Sequence, residues 1–269
     1  MDVIEQLDRW RDQYLAWKSK GRSGSLDRLD GYPFVENTRA PFTPARRALP
    51  MMNLALISSA GAYIDGTDPF DTGAPDGDYT FREIPSEIDP SDLRFSARGY
   101  DPAFIQQDSN VQIPLARLFE FESNRVIGQL NSAFWSFCGF IPDASMLVEV
   151  TLPKLVDRLK HYEVQAALLI PASRLCHQSV ALAARAIELA GIPTMMLSTE
   201  RDITEDVRPP RAGFYKGQAG SVAGRPNWPE HQRRVLDEAL RWIEAMDQPG
   251  TNKLVVELES QVEAARGER

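Results

Sequence analysis

Apolar residues in this chain occur both as short continuous runs and as stripes at helical spacing. The run from Val164 to Ile170 is apolar enough for a central strand. A helical stripe from His177 to Ala190 follows it, Gly191 marks the end of that helix, and a second apolar run extends from Ile192 to Leu197. This order predicts a βαβ unit with a right-handed crossover, and therefore a parallel sheet.

The same patterns predict further elements on either side of this unit. Val3 to Lys20 has the spacing of an amphipathic helix with an aromatic stripe. The stripe could dock a partner, but we expect it to pack on its own domain or on a second copy of the chain. Asn53 to Tyr63 has the pattern of a strand followed by a turn of small residues. The remaining predicted elements are a helix at Leu115 to Arg125, a strand at Phe134 to Phe137, a helix at Ser145 to Lys160 with a break at Pro153, and a helix from Pro229 to about Met246.

These elements predict an α/β fold with a mostly parallel sheet and helices on both faces, built from Rossmann-like or flavodoxin-like βαβ units. Residues 51–246 are expected to form this domain. Residues 1–50 are expected to form the N-terminal helix and an irregular segment that wraps the surface, because prolines interrupt its second half. Residues 247–269 are expected to form a last, charged helix capped by Thr251.

Composition and charge narrow the range of functions. The chain of 269 residues has a formal net charge of −8, which argues against a general nucleic-acid or anionic-membrane binder. No apolar run reaches membrane-spanning length, and the first residues lack a basic segment followed by a hydrophobic one, so we expect a cytoplasmic protein. The two cysteines are too few for a disulfide framework and are expected to be reduced thiols.

The sequence predicts no cofactor and no metal site. The small residues after the first strand match neither a dinucleotide fingerprint nor a P-loop. The histidines at 161, 177 and 231 are scattered, and no pair has the spacing of a helical zinc motif. The aspartates between residues 65 and 92 do not fit an EF-hand, and we expect a solvated loop there.

Cys176 is the leading candidate for chemistry, because it lies where a predicted buried strand gives way to a helix. The first helical turn offers unpaired backbone N–H groups and the positive end of the helix dipole, both of which stabilise a thiolate. His177, next in sequence, could add positive charge or move a proton. The alternative is a small cysteine that fills the core. Cys138 is the other thiol in the chain, and core packing is favoured for it over a redox pair with Cys176.

Arginines and the small-residue turn supply candidate substrate contacts. Arg208 and Arg211 stand in a stiff proline loop after the last strand of the βαβ unit, where they would either bind a carboxylate as a fork or lie on the surface. Arg82 is a third candidate for carboxylate binding. Ser59 and Tyr63 lie in the small-residue turn, where a ligand can approach the backbone closely.

The residues around Cys176 resemble the selenoprotein B subunits of glycine, sarcosine, betaine and D-proline reductases. The matching run is Pro171-x-Ser173-x-x-Cys176-His177-Gln178-Ser179-Val180, followed by Ala186-Ile187-Glu188-x-Ala190-Gly191-Ile192-Pro193. The resemblance extends to Gly24-Ser25-Leu26-Asp27-Arg28-Leu29, Gly31-Tyr32-Pro33-Phe34, Ser58-Ser59-Ala60-Gly61, Pro69-Phe70-Asp71-Thr72, Gly77-Asp78-x-x-Phe81-Arg82-Glu83-Ile84-Pro85, Gly99-Tyr100-Asp101, Asp108-x-Asn110 and Phe140-Ile141-Pro142-Asp143. Asp108 joins the candidate substrate contacts with these motifs.

The resemblance implies selenol or thiol chemistry at the strand-to-helix turn. In the reductase subunits a selenocysteine stands three residues before the cysteine and attacks the substrate, and the neighbouring thiol resolves the adduct. This chain has Ser173 at that position, and a serine cannot cycle between reduced and disulfide-like states. Three explanations stay open: Ser173 replaces selenocysteine so that the protein can be made in an ordinary host, the natural protein has abandoned selenium chemistry, or Cys176 alone has become the nucleophile.

Two further positions depart from the family pattern. Members carry a histidine close to the Gly-Tyr-Asp motif, whereas this chain has Ser96-Ala97-Arg98 before it. A second family histidine corresponds to Ser221, in a glycine-rich loop that we expect to be either a flexible surface loop or a substrate lid. These departures indicate altered chemistry.

The sequence therefore predicts an oxidoreductase of the amino-acid reductase type, a thiol-dependent enzyme that acts on a small amino-acid-like or carboxylate substrate through Cys176. His177 is its acid/base or orienting group, and Ser173 occupies the former selenocysteine position. We also expect a partner subunit or thiol reductant, and a homo-oligomer. Two alternatives stay open, a non-catalytic subunit that binds a ligand or partner, and a redox-neutral lyase or hydrolase.

Overall fold

The computed structural model describes residues 2–20 and 29–256. The helices are α1 (Leu7–Ser19), α2 (Ala103–Gln107), α3 (Leu115–Ser123), α4 (Ala144–Met146), α5 (Leu152–His161), α6 (Arg174–Leu189), α7 (Arg201–Val207) and α8 (Pro229–Ala245). The strands are β1 (Asn53–Ser58), β2 (Ala62–Ile64), β3 (Phe81–Pro85), β4 (Leu93–Phe95), β5 (Gln129–Leu130), β6 (Ala133–Phe137), β7 (Ala166–Ile170), β8 (Thr194–Ser198), β9 (Arg211–Phe214) and β10 (Gly250–Lys253). Most of the Gly24 to Leu29 motif lies outside the described residues.

In the described part of the chain, eight strands form one sheet in the order β10-β9-β8-β7-β1-β6-β3, and β5 also pairs with β1. All pairs in this sheet are parallel except β3 with β6. Strands β7 and β8, joined by α6, are the predicted βαβ unit, and the predicted α/β fold with a mostly parallel sheet is confirmed. Strands β2 and β4 form a separate antiparallel pair.

The core lies on both faces of this sheet. Along β1, Ala55 and Ile57 point into a cluster with α1, α5 and α6, whereas Leu54 and Leu56 point into a cluster with α3 and α8. This alternation follows from the two-residue period of a strand. A strand buried on both faces needs the continuous apolar run from which β1 and β7 were predicted.

Helix α1 packs on its own domain, which was one of the outcomes predicted for its aromatic stripe. Trp10 and Tyr14 are buried. The Trp10 indole donates a hydrogen bond of 2.7 Å to the Pro33 carbonyl, and the Tyr14 hydroxyl donates one of 2.7 Å to Asp76. The N-terminal segment is therefore fixed to the surface of the α/β domain.

The structure changes the prediction at two helix boundaries. A π-helical turn at Leu147–Thr151 joins α4 to α5, so the interruption expected near Pro153 falls just before that proline. The helix predicted to begin at Thr251 is wrong at its start, because Gly250–Lys253 is a strand paired with β9. Residues 257–269 lie outside the described part. Among the described residues, no helix is long and apolar enough to cross a membrane.

Candidate active site

The carboxyl ends of β1, β6 and β7 meet at one point, as parallel strands of an open α/β sheet do. Ser59 follows β1, and its hydroxyl accepts a hydrogen bond of 3.0 Å from the backbone N–H of Ala172, which follows β7. The Ser59 carbonyl accepts a bond of 3.1 Å from Gly139, which follows β6. A Cβ on Gly139 would lie 2.4 Å from the Ser59 Cβ and 3.0 Å from the Cys176 sulfur, so this close approach requires glycine.

Ser173 and Cys176 form the centre of the site. The Ser173 hydroxyl caps α6 by accepting a bond of 3.3 Å from the Cys176 N–H, and it donates to the Cys176 sulfur at 3.0 Å. The thiol in turn points to the Ser59 carbonyl, 3.9 Å away. Burial raises the pKa of the Cys176 thiol, and its hydrogen bonds with Ser173 and Ser59 offset only part of that rise. The closed site therefore holds a neutral thiol rather than the thiolate expected from the helix start alone.

His177 is an internal group with both ring nitrogens occupied. Its Nδ1 lies 2.7 Å from the Ser173 carbonyl oxygen, and its Nε2 accepts a bond of 3.1 Å from the Thr199 N–H. Burial lowers the pKa of His177 to about 4, so the ring is neutral near pH 7. The neutral ring joins the start of α6 to the end of β8, so it can hold the first turn of α6 in a fixed orientation.

Two loops cover the site, one at residues 96–101 and one at residues 217–224. The Tyr100 hydroxyl donates 2.7 Å to the Ala60 carbonyl, and the Gly220 N–H donates 2.8 Å to the Ala172 carbonyl. A Cβ on Gly220 would lie 3.0 Å from the Tyr100 ring, so the loops contact each other. Residues 220–224 are buried and residues 218 and 219 are exposed, so the second half of this loop is packed against the domain and is not a flexible surface loop. Cys176 retains 1% exposure, so the site is closed.

Arg98 is a buried residue beside the site that the motifs did not single out. Its side chain is 7% exposed, its guanidinium stacks 4.6 Å from the centre of the Phe140 ring, and its Nη1 donates 2.6 Å to the Ala74 carbonyl. Its Nη2 has no hydrogen-bond partner among the described residues. The sequence signal was its place directly before Gly99-Tyr100-Asp101, one of the motifs that carry the family resemblance.

Cys138 lies close enough to Cys176 for that thiol to affect its pKa. Burial raises the pKa of Cys138 to about 12, and the nearby Cys176 adds to this rise. Its sulfur is 3.7 Å from the Ser96 carbonyl, and both cysteines are free and buried. Cys138 thus packs in the core beside the site, in agreement with the prediction.

The structure places Tyr63 and Asp108 together, but in a different cavity. The two residues line a surface cavity with Phe95 and Ile105, and these two apolar side chains also pack in the cluster that contains Cys176. Burial raises the pKa of Asp108, but hydrogen bonds from Asn110 and other neighbours outweigh it and leave the pKa lowered. Phe95 and Ile105 therefore separate this cavity from Cys176.

The three arginines predicted to bind a carboxylate are not brought together. Arg82, on β3, stacks on Phe70 at 4.2 Å. Arg208 lies at the end of α7 and lines a surface cavity beside α1. Arg211 is fully buried in an ion pair with Glu188 and begins β9, at the sheet edge opposite the carboxyl ends. The fork of Arg208 and Arg211 is not formed.

Metal ligands are not clustered in the part of the chain that the structure describes, where no group of three or more His, Cys, Asp or Glu side chains could hold an ion. The chemistry available at the site is that of a thiol, a hydroxyl and a buried guanidinium.

Comparison with known proteins bears on this geometry. Residues 30–172, over half of the chain, match the family model described as glycine/sarcosine/betaine reductase selenoprotein B. The match ends one residue before Ser173. No solved structure matches the chain.

Among curated proteins, the chain is similar to reductase subunits. It is 30% identical to the D-proline reductase subunit gamma of Acetoanaerobium sticklandii, over 82% of this chain and 90% of that protein. It is 25% identical to the glycine reductase complex component B subunit gamma of Symbiobacterium thermophilum, over 91% of this chain but 57% of that protein. It is 28% identical to the sarcosine reductase complex component B subunit beta of Peptoclostridium acidaminophilum, over 62% of this chain and 39% of that protein.

Proposed function

Since the chain belongs to the glycine/sarcosine/betaine reductase selenoprotein B family, we propose that it is a thiol-dependent reductase subunit that acts on a small amino-acid-like carboxylate through Cys176. The observation that carries this proposal is the contact of 3.0 Å between the Ser173 hydroxyl and the Cys176 sulfur at the start of α6. A helix start favours the thiolate, and the hydroxyl is a hydrogen-bond donor for the charged sulfur. Burial opposes ionisation in the closed site, so opening of the two covering loops is what activates the thiol.

The reaction needs an external dithiol, because Ser173 cannot supply a second sulfur. In the first step the Cys176 thiolate forms an S–C bond to the substrate carbon, and the C–N bond breaks so that the amine leaves with the electron pair and takes a proton. In the second step one thiolate of the dithiol forms an S–S bond with Cys176, and the carbon leaves with the S–C electron pair and takes a proton. The second thiol of the reductant then displaces Cys176, so the dithiol becomes a disulfide and two electrons reach the substrate.

His177 holds the thiol in position in this scheme. Its hydrogen bonds to the Ser173 carbonyl and the Thr199 N–H fix the first turn of α6 against β8. Its lowered pKa keeps it neutral, so it does not supply a proton near pH 7. Because several relatives are subunits of reductase complexes, a partner subunit is the proposed carrier of the dithiol.

Turnover in defined variants tests the proposal. The chain would be incubated with D-proline, glycine or sarcosine and dithiothreitol, alone and with partner subunits of a reductase complex, and the products followed by NMR. We expect Cys176→Ser to abolish reduction and Cys138→Ala to retain it. Reduction that survives in a folded Cys176→Ser variant excludes Cys176 as the reacting group.

The burial of the site favours a second candidate, a non-catalytic subunit that retains the fold to bind a ligand or partner. Ser173, Cys176 and His177 are each 1% exposed, and burial raises the pKa of Cys176. This candidate predicts that Cys176→Ala preserves the activity of a complex assembled with the chain. A loss of that activity without unfolding would exclude it.

A further inference from the structure

Arg98 is a buried cation with an unused donor. Its one hydrogen bond goes to a backbone carbonyl, that of Ala74, and its Nη2 has no partner among the described residues. Asp78 is a nearby carboxylate, because its charge and that of Arg98 both affect the pKa of Cys138. Its oxygens accept hydrogen bonds from the Asp71 N–H and the Thr80 hydroxyl instead. No carboxylate of the described chain therefore accepts a hydrogen bond from the guanidinium.

Other buried arginines of this protein have their charge accounted for. Arg211 pairs with Glu188, although its Nε, like the Nη2 of Arg98, has no hydrogen-bond partner among the described residues. Arg185 donates to four backbone carbonyls at 2.7 to 3.2 Å, those of Val3, Arg39, Arg208 and Asp2. A buried charge without such partners is unfavourable, and a bound anion would remove the penalty. Arg98 differs from both, because it has one carbonyl acceptor and no carboxylate partner among the described residues.

Arg98 is linked to Ser173 and Cys176 through Phe140, Gly99 and Cys138. The Phe140 ring, over which the guanidinium lies at 4.6 Å, also packs against Gly99. A Cβ on Gly99 would lie 2.4 Å from Phe140 and 3.2 Å from the Ser173 hydroxyl. The charge of Arg98 also acts on Cys138, whose pKa is in turn affected by Cys176. Phe140 and Gly99 therefore connect the guanidinium to the Ser173 hydroxyl, and Cys138 connects it to the Cys176 thiol.

We propose that Arg98 binds the carboxylate of the substrate beside Cys176 and so restricts the site to small carboxylic acids. A guanidinium donates parallel N–H groups in the geometry that a carboxylate accepts, which an amide or ester of the same size cannot match in charge. The inference rests on the proposed function, and it assigns to Arg98 the role that the sequence suggested for Arg82, Arg208 and Arg211.

Two alkylating reagents of nearly the same size test this role at Cys176 itself. Iodoacetate carries a carboxylate and iodoacetamide does not, and both need the same opening of the site. Alkylation of Cys176 would be followed by mass spectrometry, and the ratio of the two rates divided by the same ratio for N-acetylcysteine. We expect this normalised ratio to favour iodoacetate in the unsubstituted chain and to fall by about tenfold or more in Arg98→Gln, as expected for loss of a charged hydrogen bond.

Two further variants separate carboxylate binding from general effects. Arg98→Lys keeps the charge without the fork and should retain part of the preference. Arg174→Gln is the matched control, because Arg174 is the next residue after Ser173 and also lies over a phenyl ring, that of Phe34, but is already paired with Glu200 and Asp202. Its ratio should be unchanged. An equal fall in Arg174→Gln, or no fall in Arg98→Gln, would overturn the assignment.

A second measurement tests Arg98 even if Cys176 does not react. The thermal unfolding midpoint would be recorded with D-proline, glycine and acetate, and with the matching amides. Ligand that binds only the folded chain raises the midpoint. We expect carboxylates to raise it more than amides in the unsubstituted chain and in Cys176→Ser, and this difference to vanish in Arg98→Gln. Equal shifts for acids and amides would reject the role of Arg98, whereas an unreactive Cys176 with an intact carboxylate effect would reject only the proposed reaction.

Discussion

The hydroxyl of Ser173 lies 3.0 Å from the sulfur of Cys176 and also caps the helix that carries it. Replacing Ser173 by alanine removes both contacts. We expect a loss of about 1 kcal/mol in the free energy of unfolding, because an N-cap is lost, together with a higher pKa for Cys176. Urea denaturation and the pH dependence of alkylation would measure the two effects. Ser173→Thr keeps a hydroxyl and is the control. An alanine variant as stable as the threonine variant would contradict the cap.

The same contact predicts a redox change. In Ser173→Cys the two thiols would stand three residues apart at the helix start, in the arrangement of a Cys-x-x-Cys motif. We expect mild oxidation to remove both thiols through an internal disulfide, as judged by free-thiol counting and peptide mass spectrometry. Oxidation only between chains would show that the two side chains do not meet in solution.

Stability should depend on pH through His177. Its pKa falls from an ordinary 6.5 to about 4 on burial, so between these values the unfolded chain binds a proton that the folded chain does not. Its contribution is complete above about pH 6.5 and is lost as the pH falls towards 4, for a total of roughly 3 kcal/mol.

The test is the slope of the unfolding free energy against pH. His177→Gln should flatten the slope between pH 4 and 6.5. A slope that persists in His177→Gln would assign the proton to other groups.

We expect a side chain at position 139 to destabilise the protein. A Cβ there would lie 2.4 Å from the Ser59 Cβ and 3.0 Å from the Cys176 sulfur, so Gly139→Ala forces the ends of β1 and β6 apart. We expect a destabilisation of about 1–3 kcal/mol by overpacking and a changed alkylation rate of Cys176. Gly73→Ala, in an exposed turn, is the control and should stay within about 0.5 kcal/mol. Equal stability of the two variants would contradict the close packing.

The buried pair of Arg211 and Glu188 should be structural. Arg211→Met leaves the Glu188 carboxylate buried without its counter-ion, which costs about 3–5 kcal/mol. The double variant Arg211→Met with Glu188→Leu should recover part of that loss, as a double-mutant cycle of denaturation curves would show. Strictly additive losses would argue against the pair.

The fold and the centre of the site follow from short-range patterns. The apolar run before Ser173 and the stripe after Cys176 predict β7 and α6, and the carboxyl edge of a parallel sheet predicts that Ser59 lies beside them. What decides the ionisation of Cys176 comes from farther along the chain. Residues 96–101 and 217–224 bury the thiol, and no local pattern around Cys176 indicates that cover.

Long-range pairing also explains why the sequence could not show which arginines are already paired. Arg211 directly follows a proline pair, and its partner Glu188 is on α6, so sequence spacing could not show that its charge is already bound. Arg98 is the opposite case, because its charge has no carboxylate partner among the described residues. Nothing near it in sequence indicates burial, and only the packing of Phe140 and Ala74 around it reveals a donor without a partner.

The central claim, that Cys176 is a reactive thiol, is tested most directly by its alkylation in the native chain with Cys138 as internal reference. Both thiols are buried and free. A difference between their rates therefore reflects opening and activation of the site, and not the intrinsic reactivity of the reagent. Iodoacetamide would be applied over a range of pH and the modified peptides quantified by mass spectrometry. The account predicts that Cys176 reacts faster than Cys138 at every pH, and that D-proline slows Cys176 alone. Equal rates that appear only on global unfolding would contradict it.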